Sequence, residues 1–476
     1  MHLLIITQQW APEYGIPQLR GAWMVRELTQ AGHTVSVVTA PPHYPTGRLL
    51  DTSPEYQPGA VAEGPSGELI YRSHFREHTP SIPSRIADQA VICTSSVRQA
   101  LLAIKHRKPD LILASCPPLP AAFTAHTVSS MKRIPYVVDI RDSWPDLARY
   151  VGISDYILLG RTAPTRRGQL RTPAILAGAE LFGKALKDAA GLITTSSIHS
   201  GEVALRYHKP TQTLSNIILE DAAALAANHR ASHPSISNLQ AGSHETKDAE
   251  APDSIHSANE VDAIAITGSQ EKPRAQTTPN AQTAATASPL GRRLRVLYAG
   301  TVGRAQGIDN VIRAANEAST LGYPIDLKIV GNGTHLKVAK ALAQNLGVSV
   351  DFPGRVAPEI VRAHYDWADV ALVVLQDWAP LRLTVPSKTF QVIASGKYVV
   401  GALEGAAAEI ITKLGAGSVV PPMQPEALAA EFARLAMHPE DLSKNAHGAE
   451  RIAAEQVRLN SGYEFTRFIE MLAARR

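Results

Sequence analysis

The strongest constraint on the fold is a strand–loop–helix–strand pattern that occurs twice along the chain. An apolar run at residues 1–7 is followed by helical spacing of apolar residues over 19–31 and by a second strand at 35–39. The same order recurs over residues 294–330, and alternating strands and helices continue after each start. Because this order opens a parallel sheet, we predict an α/β protein. Two doubly wound units would place a ligand in the cleft between them.

The two units are separated by a polar segment, residues 222–293, that contains no Trp, Tyr, Phe, Cys or Met. Such a composition buries too little apolar surface to offset the entropy lost on ordering, so we expect a disordered insertion or linker. The rest divides into an N-terminal domain at 1–221 and a C-terminal domain at 294–454. Apolar residues at helical spacing predict a final helix at 455–476.

Composition excludes several classes of protein. The 476 residues carry 47 Lys and Arg against 43 Asp and Glu, so the net charge of +4 does not indicate nucleic-acid binding. Cys93 and Cys116 form no CxxC pair, which predicts two buried thiols in a reducing compartment. No apolar run approaches the ~18 residues that span a bilayer. We therefore expect a cytoplasmic protein, with contact to a membrane surface left open.

Both units place glycine in the loop between the first strand and the first helix. The first loop contains Gly15, and the second contains Gly300, Gly303 and Gly307. Neither loop has the GxGxxG spacing of a dinucleotide site, so a dehydrogenase is poorly supported. Glycines allow a ligand to approach the backbone, and a helix N-terminus attracts anions. Ordinary turns between strand and helix are the alternative.

The sequence Pro-Ser-Lys-Thr at residues 386–389 begins a predicted helix. Ser387 can cap that helix, which leaves backbone N–H groups and Lys388 beside its N-terminus. A diphosphate would fit there. A capped helix with a solvated lysine is the alternative.

Four charged residues surround Trp144 at the end of the predicted strand 136–140, where open α/β sheets place ligands. Several carboxylates beside an aromatic ring favour a sugar site, and structural ion pairs are the alternative. The charged residues are Asp139, Arg141, Asp142 and Asp146.

A basic segment contains Arg161, Arg166, Arg167 and Arg171 between apolar stretches. Such a segment can lie on an anionic membrane surface. A solvated loop is the alternative.

Five motifs, in order along the chain, resemble signatures of bacterial glycosyltransferase family 4, in the branch that builds capsules, exopolysaccharides and O-antigens. The resemblance covers roughly residues 1–221 and 294–476 and leaves out the linker. The motifs are GHTV at 32–35 with APPHYP at 40–45, DIRDSWPD at 139–146, LYAGTVGRAQG at 297–307, IVGNG at 329–333 and VPSK at 385–388.

The resemblance implies the GT-B architecture, in which two Rossmann-like domains face each other across a cleft and the last helix crosses back onto the first domain. It implies a retaining hexosyl- or N-acetylhexosaminyltransferase of polysaccharide biosynthesis, at the cytoplasmic membrane face. The C-terminal domain would hold a nucleotide-sugar donor, and the N-terminal domain a glycan or polyprenyl-linked acceptor. It implies no metal or other cofactor, so N–H groups and cations must stabilise the leaving diphosphate.

The same motifs imply roles for individual residues. Asp142 would line the reaction centre, while Trp144, Arg161, Arg166 and Arg167 would lie on the acceptor or membrane side. The implied donor-binding residues are Gly15, Gly303, Arg304, Gly331, Gly333, Ser387, Lys388, Thr389 and Gln391.

This chain departs from the family pattern around the donor site. Family members often carry two glutamates eight positions apart, where this chain has Leu383 and Gln391. Glutamine keeps a hydrogen-bond acceptor but loses the charge. The usual cations after Gly300 are replaced by Thr301 and Gln306. A catalytically inactive sugar-nucleotide-binding scaffold therefore stays open as an alternative. A sugar-nucleotide epimerase also stays open, because such enzymes share the two-domain cleft.

Overall fold

Two α/β domains, each built on a mainly parallel sheet, confirm the predicted fold class. Leu4 and Ile6 of the first strand pack into one hydrophobic cluster, whereas Leu3 and Ile5 pack into another. The sheet is therefore covered on both faces, which explains a strand that is apolar at every one of these positions. The computed structural model describes residues 1–13, 15–44, 46–79, 82–147, 150, 166–216 and 288–475.

The N-terminal domain has an eight-stranded sheet of order β3-β4-β2-β1-β5-β6-β7-β8, in which only the β3–β4 pair is antiparallel among the described strands. The strands are β1 (His2–Ile6), β2 (Thr34–Thr39), β3 (Val61–Glu63), β4 (Leu69–Arg72), β5 (Leu111–Cys116), β6 (Tyr136–Ile140), β7 (Gly191–Thr194) and β8 (Thr211–Thr213).

Helices connect these strands, and local sequence sets their ends. The first helix begins with Pro17 in its first turn, where proline costs no hydrogen bond, and stops before Gly32, whose φ is +80°. The helices are α1 (Ile16–Gln30), α2 (Ile82–His106), α3 (Pro120–Lys132), α4 (Arg166–Asp188) and α5 (Ser197–Tyr207).

The C-terminal domain has a six-stranded parallel sheet of order β11-β10-β9-β12-β13-β14. The strands are β9 (Leu294–Ala299), β10 (Ile325–Val330), β11 (Val350–Gly354), β12 (Val370–Val374), β13 (Tyr398–Ala402) and β14 (Gly417–Val420). The helices from here to the end of the described chain are α6 (Ile308–Thr320), α7 (Leu336–Leu346), α8 (Pro358–Trp367), α9 (Ser387–Ala394), α10 (Ala406–Lys413), α11 (Pro425–Met437), α12 (Gly448–Leu459) and α13 (Gly462–Ala474).

The boundary predicted between linker and C-terminal domain needs a correction. The Ser288 hydroxyl donates to the Ala436 carbonyl at 2.9 Å, and the Arg292 guanidinium binds both carboxylate oxygens of Asp369 at 2.6 and 2.7 Å. Residues 288–293 therefore pack on the C-terminal domain, because their polar side chains find fixed partners there. The rest of the predicted linker, 222–287, lies outside the described residues.

The prediction of a single helix over 455–476 is wrong. The chain forms α12 and then α13, with a break at Asn460. The Ser461 hydroxyl accepts a hydrogen bond from the Glu464 backbone N–H at 3.2 Å, so this serine starts a new helix instead of continuing the old one.

The last helix, α13, packs on the N-terminal domain. The Phe465 ring lies 5.5 Å from the ring of Trp23 in α1, measured between centroids. Leu472 lies against Gly191 of β7, where any side chain would overlap it. Just before this helix, the Asn460 side chain accepts from the Ser215 N–H at 2.8 Å. None of the described helices is long and apolar enough to cross a membrane.

Candidate active site

The two domains meet where the carboxyl ends of their strands face each other. The loop after β6 reaches the short 3-10 helix Ala379–Leu383, because the Ser143 hydroxyl donates to the Pro380 carbonyl at 2.6 Å. The Ser196 hydroxyl, which follows β7, donates to the Leu383 carbonyl at 2.5 Å. These contacts join the DIRDSWPD segment to the chain that leads directly into the Pro-Ser-Lys segment.

Asp142 lies in this junction, between Arg141 and Ser143. Burial raises the pKa of its carboxyl above the ordinary value, while the neighbouring Arg141 guanidinium lowers it. Arg141 itself is held by the carbonyls of Cys116 and Pro117 at the end of β5. A recessed carboxyl group at an interdomain edge can hydrogen-bond a substrate hydroxyl there.

The other charged residues of the DIRDSWPD segment are structural. Asp139 is fully buried and receives three hydrogen bonds from the Arg20 guanidinium, the shortest at 2.6 Å, and one from Ser115 at 2.9 Å. Asp146 pairs with Arg206 at 2.5 Å. For these two carboxylates the structural ion pair is the correct interpretation. Asp142 is left as the candidate carboxylate of the reaction centre. Trp144 is partly buried against the N-terminal core.

Lys388 in α9 reaches across to the loop after β9. Its ammonium group donates to the Ala299 carbonyl at 2.5 Å, and a Cβ added to Gly300 would lie 2.5 Å from the Lys388 Nζ atom. Burial lowers the pKa of Lys388 to about 8. No carboxylate within the described residues lies within 4.0 Å of this ammonium group, so its charge has no protein counter-ion there.

The start of α9 differs from its predicted form. Ser387 is the first helical residue and Pro386 precedes it, so the helix begins one residue earlier than predicted and Ser387 does not cap it. Thr389 is fully buried, and its hydroxyl has no hydrogen-bond partner among the described residues. Gln391 is exposed on the same helix.

Gly303 and Arg304 form the turn that follows β9. Gly303 precedes a 3-10 helix, Arg304–Gln306, and its N–H donates to the Gln306 side-chain oxygen at 3.1 Å. Gln306, which stands at a position where the family often has a cation, therefore folds the loop instead of facing a ligand. Arg304 is partly buried in the same turn.

Gly331 and Gly333 are needed for contact between two loops. Gly331 has a φ of +140°, and a Cβ on it would overlap the Gly300 carbonyl oxygen. A Cβ on Gly333 would overlap the Val302 carbonyl oxygen. These glycines were predicted to admit a nucleotide, but in the structure the space beside each one is filled by the loop after β9.

The remaining predicted residues contribute less to the described site. Gly15 precedes α1 with a φ of 173°, an extended conformation open to any residue. Arg161 lies outside the described residues, and only the backbone of Arg166 and Arg167 is described, at the start of α4.

Sequence reasoning missed several buried polar residues at this edge. Burial lowers the pKa of His199 to about 4, and its Nδ1 atom has no hydrogen-bond partner among the described residues. Glu13 accepts from the His43 and Tyr44 backbone N–H groups at 2.7 Å each, and burial raises its pKa. Each is a single residue without a motif, so the sequence carried no signal for them.

One group of side chains in the described part of the chain could hold a metal ion: His43, His78 and Asp88. Their separations of 35 and 10 residues match no metal-binding motif, which is why the sequence did not predict them. The group lies in the N-terminal domain, whereas Lys388 belongs to the C-terminal domain.

Two family models match the chain in the order of its domains. The model described as "Glycosyl transferase 4-like domain" matches residues 19–203, and "Glycosyl transferases group 1" matches residues 285–450. Together they cover about three quarters of the chain. No curated protein sequence matches it.

Solved structures share the fold over their whole length. Sucrose-phosphate synthase from Thermosynechococcus elongatus matches with a TM-score of 0.60 and 15% identity, over 99% of this chain and 98% of that one. HepE from Anabaena, solved with UDP, matches with a TM-score of 0.51 and 14% identity over 100% of both chains. The lipopolysaccharide outer core galactosyltransferase WaaB matches with a TM-score of 0.54 and 9% identity over 100% of both chains. With both family models in domain order on this two-domain fold, the chain belongs to the GT-B glycosyltransferases of the family 4 type.

Proposed function

We propose that this glycosyltransferase moves a hexosyl or N-acetylhexosaminyl group, with retention of anomeric configuration, from a nucleoside-diphosphate sugar to a glycan. The donor would lie against the C-terminal domain and the acceptor against the N-terminal domain. UDP is the favoured nucleotide, because the Anabaena HepE structures of the same fold contain UDP and UDP-glucose. No metal takes part in this proposed reaction.

The observation that carries the proposal is the uncompensated charge of Lys388. A buried ammonium group is costly in a protein unless an anion pairs with it. Lys388 lies on the glycine loop and beside the N-terminus of α9, where the free N–H groups also favour an anion. A diphosphate would supply the missing counter-ion and would gain from both features.

The same groups would serve catalysis as the glycosidic bond breaks. Negative charge then develops on the leaving diphosphate, and a fixed cation with oriented N–H groups stabilises it without reorganisation. Asp142, from the opposite domain, would accept a hydrogen bond from a sugar or acceptor hydroxyl. The contacts that Ser143 and Ser196 make with the other domain would keep both halves of this site together.

The acceptor is proposed to be a polyprenyl-linked glycan of cell-surface polysaccharide synthesis, used at the cytoplasmic membrane face. The basic segment that includes Arg161, Arg166 and Arg167 supports this by its composition, since basic residues with apolar flanks favour an anionic membrane surface.

The test is a thermal-shift panel of UDP, GDP, ADP and dTDP on the full chain. A ligand that binds only the folded state raises the melting temperature, by about 2.7 kcal/mol of stability at a hundredfold excess over Kd. We expect UDP to stabilise the wild type and the variant Lys444→Met, whose lysine is exposed and pairs with Asp441. Lys388→Met should abolish the UDP shift. An equal shift in both variants would contradict the proposed diphosphate site.

A scaffold that binds the nucleotide sugar without turnover is the second candidate, because Gln391 replaces the glutamate common in the family. Release of UDP from UDP-sugar that depends on added acceptor would exclude it. Turnover of the donor in the absence of any acceptor would instead favour an epimerase.

A further inference from the structure

We propose that His43, His78 and Asp88 form a binding site for a divalent transition-metal ion of the Zn²⁺ type, on the N-terminal domain. The three side chains offer two imidazole nitrogens and one carboxylate oxygen, all within 4.8 Å of one another. Two imidazoles and a carboxylate are ligands that zinc and its first-row neighbours favour.

Three separate segments bring these ligands together at one edge of the sheet. His43 lies in the loop after β2, His78 lies in the segment after β4, and Asp88 lies on α2. β2 and β4 are neighbouring parallel strands, so the segments that follow them leave the sheet side by side. An ion bound here would therefore join two loops and a helix.

Hydrogen bonds fix both rings in the form that a metal requires. The His43 Nδ1 atom lies 2.7 Å from the Pro41 carbonyl oxygen, and the His78 Nδ1 atom lies 3.1 Å from the Thr79 carbonyl oxygen. A carbonyl oxygen only accepts, so each Nδ1 carries a proton, and Nε2 is the nitrogen of each ring that is placed to bind a metal. A backbone carbonyl on the other ring nitrogen is the usual support of a metal-binding histidine.

Both Nε2 atoms face the same carboxylate oxygen without a hydrogen bond to it. The His43 and His78 Nε2 atoms lie 4.0 and 3.9 Å from the Asp88 Oδ2 atom. Tetrahedral zinc with bonds of 2.0–2.1 Å separates its ligand atoms by about 3.4 Å, so each imidazole Nε2 atom needs to move roughly half an ångström closer to Asp88 Oδ2. A water molecule is the other species that such a gap can hold.

The surroundings hold the three ligands in place. The Asp88 side chain is fully buried, and its Oδ1 atom accepts from the Arg76 N–H at 2.9 Å. Its Oδ2 atom accepts a long hydrogen bond from the Gln89 side-chain amide at 3.4 Å and also faces the two rings. The Phe75 ring stacks on His43 at 4.9 Å between centroids. Gly47 has a φ of +74°, and a Cβ on it would lie 2.5 Å from the His78 carbonyl oxygen. With three protein ligands fixed, a fourth position is left for water or another donor.

This site is independent of the proposed transferase reaction, in which no metal takes part. Its ligands belong to the N-terminal domain, whereas the proposed diphosphate site depends on Lys388 of the C-terminal domain. Loss of one site would leave binding at the other measurable.

The test measures Zn²⁺ bound to the full chain after chelator treatment and equilibrium dialysis against micromolar Zn²⁺. The variants are His78→Gln and Asp88→Asn, and the second keeps an acceptor for the Arg76 N–H. The matched control is His74→Gln, which removes an exposed histidine four residues before His78. Because the chain has 17 histidines, the result is the difference in bound zinc between variants.

We expect the wild type and His74→Gln to bind one equivalent of Zn²⁺ more than His78→Gln and Asp88→Asn do. In His78→Gln and Asp88→Asn, the affinity of the site for Zn²⁺ should fall more than tenfold. Zn²⁺ should raise the melting temperature of the first pair only, and far-UV circular dichroism checks that all four chains are folded. Equal zinc content in all four chains, or none in the wild type, would overturn the proposal and indicate a water-filled gap.

Discussion

At the scale of single residues, Lys388 combines a destabilising position with the proposed role in binding a diphosphate. Its pKa of about 8 instead of 10.5 means that the folded state disfavours the charged form. At neutral pH the lysine is charged all the same, and the cost is up to about 3 kcal/mol. The hydrogen bond to the Ala299 carbonyl returns only about 1 kcal/mol.

Lys388→Met should therefore stabilise the unliganded protein at pH 7 by about 1–2 kcal/mol while it removes nucleotide binding. The penalty is complete below pH 8 and disappears as the pH rises towards 10.5, because the lysine then becomes neutral in both states. The gain in the free energy of unfolding should therefore shrink over that range. Denaturant unfolding at pH 7 and pH 9.5 measures it, and a variant less stable than wild type at pH 7 would contradict the argument.

A substitution at Gln391 tests whether the proposed donor site is adapted to glutamine or has lost its activity. In an active enzyme whose site accommodates glutamine, Gln391→Glu adds a charge to the exposed face of α9 and should lower kcat/KM about tenfold. The control Gln344→Glu adds the same charge on exposed α7 and should have no effect. Donor turnover with acceptor is the measurement, and a gain in Gln391→Glu would instead indicate a decayed site.

At the scale of elements, the loop after β9 packs against the loop after β10 beside the proposed donor site. Gly331→Ala should destabilise the protein by about 2–4 kcal/mol, because its φ of +140° strains any side chain and its Cβ overlaps the Gly300 carbonyl. Since Lys388 packs on Gly300, UDP binding should fall as well.

Thermal unfolding and UDP titration measure both effects of Gly331→Ala. The control is Gly178→Ala in α4, where a Cβ meets nothing within 4 Å. Alanine in a helix should leave that variant as stable as wild type or up to about 1 kcal/mol more so. Equal stability of the two variants would show that the loops can separate without loss.

At the scale of the whole molecule, the contacts of residues 288–293 predict where the chain can be cut. Deletion of 222–287 should leave the melting temperature within about two degrees of wild type, because those residues have the composition of a linker. Deletion of 222–293 also removes the Arg292–Asp369 pair and the Ser288–Ala436 hydrogen bond, and should lower it by several degrees. Calorimetry measures the melting temperatures of both deletion variants. Equal melting temperatures would contradict the corrected boundary.

Much of the fold could be predicted because parallel strands and helices carry local periodicity. The strand at 136–140 has the bounds that its apolar run predicted, and the strand–helix–strand unit predicted over 294–330 extends from the start of β9 to the end of β10. Short strands such as β3 and β8, and the break at Asn460, were not predicted. Three-residue strands carry too little periodicity, and a helix break depends on whether one serine caps the next turn.

The sequence by itself determined that this chain forms two parallel α/β units, and two of its motifs, DIRDSWPD and VPSK, lie at or next to the contact between those units. Only the tertiary structure decided what single side chains do there. Arg20 and Asp139 are 119 residues apart, yet their contact makes Asp139 structural and leaves Asp142 as the candidate. His43, His78 and Asp88 likewise meet through three distant segments. Periodicity records which face of an element is buried, whereas a pairing between distant segments exists only after the sheet has ordered them.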